Sequence, residues 1–166
     1  MKKISIIGCC GAGKSTLAES LACKLSIPLY SLDSVFWQSG WQQISREELI
    51  EKQEAIVCKD SWIIDGNYAS TMDVRLPHSD SILFLDFPTA ICLWRVFKRF
   101  CQYRFIYKKE RTPGCPERIT LSFLWFVLTF RLKKRPALLE KLESLDSKDI
   151  KFFRSPKEVD DFLRGL

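Results

Sequence analysis

Short apolar runs alternate with amphipathic segments along most of the chain. Four such runs, together with a weaker one that contains Pro28, are typical of buried β-strands. In chain order they cover residues 3–7, 27–32, 62–64, 81–85 and 150–153. Between them, apolar residues recur at helical spacing. The predicted helices cover residues 14–26, 45 to about 59, 89 to about 102, and a short segment from Pro156.

Residues that suit helix starts support this division. Ser45 followed by Glu48 forms a capping box, and Thr89 after Pro88 is expected to cap another predicted helix. Strands separated by helices favour a parallel sheet in a doubly wound α/β domain. At 166 residues the chain has the length of about one domain, so we expect a single domain over residues 1–166.

Two stretches interrupt the alternation. Residues 102–118 are basic and rich in turn-forming residues, which predicts an exposed loop or lid.

Residues 119–130 are nearly all apolar and precede Arg131, Lys133, Lys134 and Arg135. Twelve residues are too few to span a bilayer, which takes ~20. Because apolar residues surround the whole segment, we expect a buried helix rather than one lying on a membrane.

Charge and cysteine content narrow the class of protein. A net charge of +6 and a pI near 9.0 suit an anionic partner such as nucleotide phosphate, nucleic acid or a membrane surface. The seven cysteines are odd in number and include no CxxC pair, unlike a disulfide framework or a four-cysteine zinc site. The apolar run before Gly8 is too short for a signal peptide. We therefore expect a cytoplasmic protein.

Residues 8–15 match the phosphate-binding pattern G-x-x-x-x-G-K-[ST] and lie between a predicted strand and a predicted helix. Glycines allow consecutive amides to face phosphate oxygens, and the helix start adds partial positive charge. Lys14 is expected to contact the β- and γ-phosphates, and Ser15 to bind Mg²⁺. The residues assigned to nucleotide binding here are Gly8, Cys9, Cys10, Gly11, Ala12, Gly13, Lys14, Ser15 and Thr16. Cys9 and Cys10 suggest either a redox switch or small residues that fit a tight turn.

Three aspartates follow predicted strands at the edge where α/β proteins bind ligands: Asp33, Asp65 and Asp86. One is expected to hold Mg²⁺ through water and another to accept a proton from a substrate hydroxyl, with turn capping as the alternative for each. Arg95 and Arg99 share a helix face and either clamp a phosphoryl group or face solvent.

Aromatic residues concentrate near the ends of the second and third predicted strands. They either line an acceptor pocket or pack in the core. These residues are Phe36, Trp37, Trp41, Trp62 and Tyr68.

A wider set of motifs resembles the small P-loop kinases, namely the adenylate, shikimate and gluconate kinases. The chain is more closely similar to the adenylate-kinase-like proteins labelled DNA topology modulation proteins (FlaR-like). The matching segments are residues 8–15, 32–37 with 40–41, 62–68, 85–88, 92–95, 114–118 and 154–159.

This resemblance implies a three-layer P-loop NTPase fold with a five-stranded parallel sheet in the order 2-3-1-4-5 and a lid near residues 102–118. It also implies that ATP and Mg²⁺ are bound. By the same resemblance, Asp65 organises Mg²⁺, Asp33 engages the acceptor, Arg95 and Arg99 lie at the lid base, and Arg154 lies beside adenine.

The chain departs from adenylate kinases where Asp65-Gly66 continues into Asn67-Tyr68-Ala69 instead of Phe-Pro-Arg. The arginine that binds a nucleoside monophosphate in those kinases is absent at this position. Its absence argues against AMP as acceptor, and Arg75 is the candidate to replace it. The lid holds only Cys101 and Cys115, which does not support a zinc-bearing lid.

The sequence therefore predicts a monomeric kinase that transfers the γ-phosphoryl group of ATP to a small-molecule or nucleotide-like acceptor, with no membrane partner. The alternatives are an ATP-dependent DNA-binding regulator and a nucleotide-binding module without catalysis. No helix-turn-helix or zinc-finger pattern is apparent, which places DNA binding second.

Overall fold

Five parallel strands form the central sheet, in the order β2-β5-β1-β6-β7. The computed structural model of the chain describes residues 1–105, 114–115, 119–145 and 148–166. In chain order the elements are β1 (Lys3–Gly8), α1 (Lys14–Leu25), β2 (Leu29–Ser31), α2 (Leu32–Phe36), β3 (Trp37–Gln38), β4 (Gln42–Gln43), α3 (Arg46–Val57), β5 (Trp62–Asp65), α4 (Met72–Arg75), β6 (Ser81–Leu85), α5 (Thr89–Phe105), α6 (Leu121–Lys133), α7 (Arg135–Glu143), β7 (Asp149–Phe153) and α8 (Pro156–Arg164). All five predicted strands are confirmed, and their order is the predicted 2-3-1-4-5.

Helices cover both faces of this sheet. Along β5, Trp62 and Ile64 pack in a cluster with Ile56 and Val57 of α3, whereas Ile63 belongs to the main core cluster. Successive strand residues point to opposite faces, so the two clusters lie on opposite sides of β5. The three-layer α/β architecture is thereby confirmed, and β1, β5 and β6 are buried along nearly their whole length, as a parallel sheet requires.

The predicted helix starts at Ser45 and Pro156 are confirmed. The Ser45 hydroxyl accepts a hydrogen bond from the Glu48 amide at 3.0 Å, and α3 begins at the next residue. Pro156 is the first residue of α8, where a proline has no amide to leave unpaired. Helix α5 begins at Thr89 itself, so this residue lies inside the helix rather than capping it, and the helix continues three residues beyond the predicted end.

Helix α6 is present where predicted, but the expectation that it is buried is wrong for half of its surface. Val127 and Phe130 are buried, while Leu121, Trp125, Leu128 and Leu132 are exposed. The helix packs between α5 and α7, and these neighbours cover only one of its sides. In the described part of the chain, no helix combines the length and the apolar character needed to cross a bilayer.

Most of the predicted lid, including Lys108, Lys109, Arg111 and Arg118, lies outside the described residues. Its described part includes Gly114 and Cys115, which contact the short β3–β4 hairpin. The Gly40 amide donates to the Gly114 carbonyl at 2.8 Å, and the Cys115 thiol donates to the Gln38 carbonyl at 3.2 Å. This segment therefore lies against the hairpin that follows Asp33.

Candidate active site

The loop at residues 8–15, called here the P-loop, connects the end of β1 to the start of α1. Its backbone has a positive φ at three glycines, Gly8, Gly11 and Gly13. Gly11 has a φ of +83°, and a β-carbon there would collide with the Cys92 carbonyl oxygen of α5 and lie 2.9 Å from the Val96 side chain. Gly13 has a φ of +98° and is the N-cap of α1, so Lys14 is the first helical residue. The motif glycines therefore let the chain turn tightly beside α5.

Three polar side chains bind the carbonyl groups of the P-loop. The Lys14 ammonium donates to the carbonyls of Gly8 and Cys9 at 3.0 and 3.1 Å. Asn67 exchanges two hydrogen bonds with the Gly8 backbone, at 2.9 Å from the Gly8 amide and 2.6 Å to its carbonyl. The Arg95 guanidinium donates to the Ala12 carbonyl at 2.9 Å. The loop is thus connected by side chains to the segment after β5 and to α5.

A cavity of about 980 Å³ opens beside the P-loop, at the upper end of the range for small-molecule sites. Cys10, Lys14, Ser15 and their P-loop neighbours up to Thr16 line it, whereas Gly8 and Cys9 do not. Cys9 is instead buried against the core. The predicted nucleotide-binding residues from Cys10 to Thr16 therefore share one wall.

The structure separates the three strand-end aspartates that the sequence treated alike. Asp33 and Asp65 both line the cavity. Asp86 is 5% exposed and accepts two hydrogen bonds from Arg135 at the start of α7, both of 2.7 Å. This pairing raises the pKa of the Arg135 guanidinium. Asp86 therefore joins β6 to α7, and its candidacy as a metal or acceptor ligand is not supported.

The residues present fit the chemistry of a Mg²⁺ site. Ser15 supplies a hydroxyl oxygen and Asp65 a carboxylate, and both line the cavity with Lys14. Mg²⁺ prefers such hard oxygen ligands, and it commonly takes one or two from protein and the others from phosphate and water. Across the described ranges, no group of three or more His, Cys, Asp or Glu residues forms a metal cluster.

Asp33 lies beside a group of aromatic rings at one end of the cavity. The Tyr68 hydroxyl donates to the Asp33 carboxylate at 2.8 Å, and Trp37 and Trp41 line the cavity with their ring centroids 5.2 Å apart. Phe36 packs behind them, 4.9 Å from the Tyr68 ring. Trp62 differs from the others because it is fully buried in the core cluster of α3.

Two residues of this aromatic end have a strained backbone. Trp41 has a φ of +63° and Tyr68 a φ of +38°, a region that bulky side chains rarely adopt. Burial, followed by the charge and hydrogen bond of Asp33, raises the pKa of the Tyr68 phenol, so it stays protonated as the donor. The strained backbone at Trp41 and Tyr68 is typical of sites where side chains must be held in set positions.

Arg95 and Arg99 both line the cavity from α5, as predicted for residues four apart on one helix. Lys98, one residue before Arg99, lines the cavity with them. The Arg95 guanidinium also lies over the Phe87 ring, 5.4 Å from its centroid. Lys14 and these three α5 side chains supply the positive charge of the site.

Arg75 does not replace the missing monophosphate-binding arginine. It is fully buried, and its guanidinium donates to the Gln53 side chain at 2.9 Å and to the carbonyls of Gly66 and Asn67. Burial lowers its pKa to about 10, and Asp65 opposes this effect. Arg75 therefore supports the loop that carries Asn67 and Tyr68, and cannot reach a ligand in the cavity.

Arg154, predicted beside adenine, does not line the cavity. Its backbone amide donates to Glu158 at 2.8 Å and its side chain is exposed. The wall here comes from α8, through Pro156, Val159, Asp160 and Leu163. The adenine role of Arg154 remains a prediction. Pro156 and Val159 supply apolar surface to the cavity wall in this region.

The P-loop thiols do not have the properties of a redox switch. A hydrogen bond with the Cys92 thiol and burial raise the pKa of Cys9, and burial raises the pKa of Cys10. A redox-sensitive cysteine needs the opposite shift. Packing in a tight turn is the better account, and all seven cysteines, each within the described residues, are free thiols.

Sequence reasoning missed Asn67 as a contributor to the site, and it named Tyr68 only as an aromatic residue of an acceptor pocket or of the core, not as the partner of Asp33. Both stand directly after Asp65-Gly66, at the point where the chain departs from adenylate kinases. That position was the available signal, but their partners Gly8 and Asp33 are 59 and 35 residues away. The pairings could be found only in the folded chain.

Comparisons with known proteins give structural neighbours but no matching family. No model of a protein family matches the chain, and no curated protein sequence matches it significantly. Among solved structures, it is similar to the crystal structure of shikimate kinase from Aquifex aeolicus vf5, with 20% sequence identity and a TM-score of 0.46. The alignment covers 82% of this chain and 98% of that one. The fold assignment rests on the strand order above rather than on this neighbour.

Proposed function

We propose that the protein is an ATP-dependent phosphotransferase that acts on a small hydroxylated acceptor. The observation that carries this proposal is a single cavity lined by Lys14 and Ser15 of the P-loop, by Asp33 and Asp65, and by Arg95 and Arg99 of α5. Phosphoryl transfer depends on positioning and on electrostatic stabilisation, and this set supplies both cations and carboxylates.

Each residue has a distinct role in this proposal. The P-loop amides and Lys14 bind the phosphates of ATP, while Ser15 and Asp65 hold Mg²⁺. The metal neutralises charge on the phosphate oxygens when bound. Arg95 and Arg99 offset the charge that develops on the transferred group. Asp33, oriented by the Tyr68 hydroxyl, accepts the proton of the acceptor hydroxyl as it attacks.

The acceptor end favours a neutral molecule with an apolar or ring face. Trp37 and Trp41 offer aromatic surface next to the Asp33 carboxylate. Among the described residues that line the cavity, the cationic ones lie on α1 and α5 rather than on the segments that carry Asp33 and the tryptophans. An anionic acceptor such as AMP would meet carboxylate and aromatic groups there, so we propose a different acceptor.

A DNA-binding regulator of the FlaR-like kind is the second candidate, favoured by the net charge of +6. Several phosphate contacts would make its DNA affinity fall steeply with salt. We rank it below the kinase because α5 contributes Arg95, Lys98 and Arg99 to the cavity itself.

We further propose that the kinase acts as a monomer in the cytoplasm.

The nucleotide-binding half of the proposal can be tested by calorimetric titration with ATP and Mg²⁺. Lys14→Ala removes a charged partner of the phosphates and should weaken ATP binding by about tenfold or more. Lys24→Ala is the matched control, because Lys24 is an exposed lysine in the last turn of the same helix. Unchanged ATP affinity in Lys14→Ala would contradict the P-loop assignment.

A further inference from the structure

Helices α5 and α6 expose most of the large apolar side chains that the described residues leave uncovered. On α6, Leu121 is 87% exposed, Leu132 81%, Trp125 62% and Leu128 48%. Soluble proteins rarely leave so many large apolar groups together in water, and such patches mark interaction sites. We call the four α6 residues the α6 stripe.

The spacing of the α6 stripe shows that it forms one continuous surface. Its members follow one another at intervals of four, three and four residues. At 3.6 residues per turn, these positions fall within a narrow strip along the helix. Val127 and Phe130, on the opposite side, are buried in the core. The helix thus carries two apolar sides, one facing the protein and one facing outwards.

Basic residues border this stripe. Arg131, Lys133 and Lys134 are exposed at the C-terminal end of α6, and the Lys133 ammonium lies 5.7 Å from the Trp125 ring centroid. In the sequence, residues 89–135 hold twelve of the 26 Lys and Arg residues but only two of the 20 Asp and Glu residues. The remainder of the chain has more acidic than basic residues, so the net positive charge comes from this segment.

On α5, Trp94 and Phe97 are 64% and 58% exposed. The same helix faces the cavity with Arg95 and Arg99, so its outward residues are not part of the site already described. Helices α5 and α6 pack against each other. Helix α5 therefore exposes Trp94 and Phe97, and the helix packed against it exposes the α6 stripe and a basic C-terminal end.

The chemistry of this surface separates two kinds of occupant. A second copy docked symmetrically through the same surface would bring the same basic residues together, with no acidic residue on α5 or α6 to balance them. An anionic bilayer supplies the missing negative charge, and its interface accommodates tryptophan and leucine. We propose that α5 and α6 form a docking surface for an anionic lipid bilayer, with the α6 stripe inserted at the interface.

This inference is independent of the phosphotransferase proposal and revises the expectation that the protein has no membrane partner. That expectation assumed that α6 is buried. A helix that lies in the interface buries one apolar side in lipid, and the basic residues at the C-terminal end of α6 would face the anionic headgroups.

The test is sedimentation of the protein with lipid vesicles. Vesicles of phosphatidylcholine alone are compared with vesicles of phosphatidylcholine and phosphatidylglycerol in equal parts. We expect strong binding to the anionic vesicles and weak binding to the neutral ones. Trp125→Ser/Leu128→Ser and Lys133→Gln/Lys134→Gln should each lower the partition coefficient on anionic vesicles by about tenfold or more.

A matched control removes the same charge elsewhere. Lys24→Gln/Lys157→Gln alters two exposed lysines on α1 and α8 and should bind vesicles as the wild type does. Unchanged thermal unfolding midpoints show that the variants are folded. The proposal is overturned if the wild type binds neither vesicle, or if the control loses as much binding as Lys133→Gln/Lys134→Gln. It is also overturned if light scattering finds a dimer that Trp125→Ser/Leu128→Ser dissociates while vesicle binding is absent.

Discussion

Asn67 joins the segment after β5 to the first glycine of the P-loop. Its amide group pairs with both the N–H and the C=O of Gly8, so it replaces backbone pairing at the point where β1 ends. The Arg75 guanidinium holds the same segment by donating hydrogen bonds to the carbonyls of Gly66 and Asn67. These contacts give a fully buried arginine and a loop asparagine a positioning role, although neither is expected to touch ATP.

We expect Asn67→Ala to weaken ATP binding by roughly tenfold, because the Gly8 amide and carbonyl lose their partner and the P-loop can shift. Gln43→Ala removes an exposed amide side chain and serves as the control. The measurements are ATP affinity by calorimetry and the unfolding midpoint in urea. A variant that unfolds earlier yet binds ATP as tightly as the wild type would show that Asn67 serves stability only.

Residues of the same type at equivalent positions, near the ends of neighbouring strands, can have different roles, as the three aspartates show. Asp33, Asp65 and Asp86 each follow a strand, and sequence alone could not choose between them. The choice depends on Arg135, which lies 49 residues beyond Asp86 and takes up its carboxylate. Long-range pairing of this kind has no local signal.

At the scale of elements, the Asp86–Arg135 pair joins the end of β6 to the start of α7. The Asp86 side chain is 4% exposed and that of Arg135 is 28% exposed. Arg135→Gln leaves a buried carboxylate without its cation, so we expect the free energy of unfolding to fall by about 3 kcal/mol. Asp86→Asn/Arg135→Gln should recover part of this loss, because the uncompensated charge is gone.

Urea unfolding of Asp86→Asn, Arg135→Gln and the double variant completes a cycle that isolates the coupling. Lys52→Gln is the control, since the Lys52–Glu48 pair is roughly half exposed and such pairs contribute about 0.5 kcal/mol. Equal, small effects in Arg135→Gln and Lys52→Gln would contradict a structural role for the Asp86 pair.

Elements with strong local signals were predictable, and those defined by their surroundings were not. The capping box at Ser45 and the run 81–85 gave α3 and β6 with nearly correct bounds. Helix α7 was not predicted, although Pro136 in its first turn is a usable signal. For α6, the apolar pattern gave the helix but not its exposure, because burial depends on which neighbours pack against each side.

At the scale of the whole molecule, strand order brings the candidate site together. Because β1 pairs with β5 and β6, the P-loop lies beside Asp65, and β2 pairs with β5 so that Asp33 follows close to the same edge. Ligands of open α/β sheets bind at this carboxyl edge. The hydrophobic pattern predicted the strands, but their order came only from the resemblance to P-loop kinases.

The proposed reaction is transfer of the γ-phosphoryl group of ATP to a small hydroxylated acceptor, with Asp33 as the base. The most direct measurement is ADP formation with Mg²⁺ across a panel of nucleosides, nucleotides and hydroxylated metabolites, with and without duplex DNA. We expect one small acceptor to stimulate ADP formation, and Asp33→Asn to keep ATP affinity while losing about a hundredfold or more in rate. Asp60→Asn, an exposed aspartate distant in sequence, should match the wild type. Wild-type transfer by Asp33→Asn, or stimulation by DNA alone, would contradict the account.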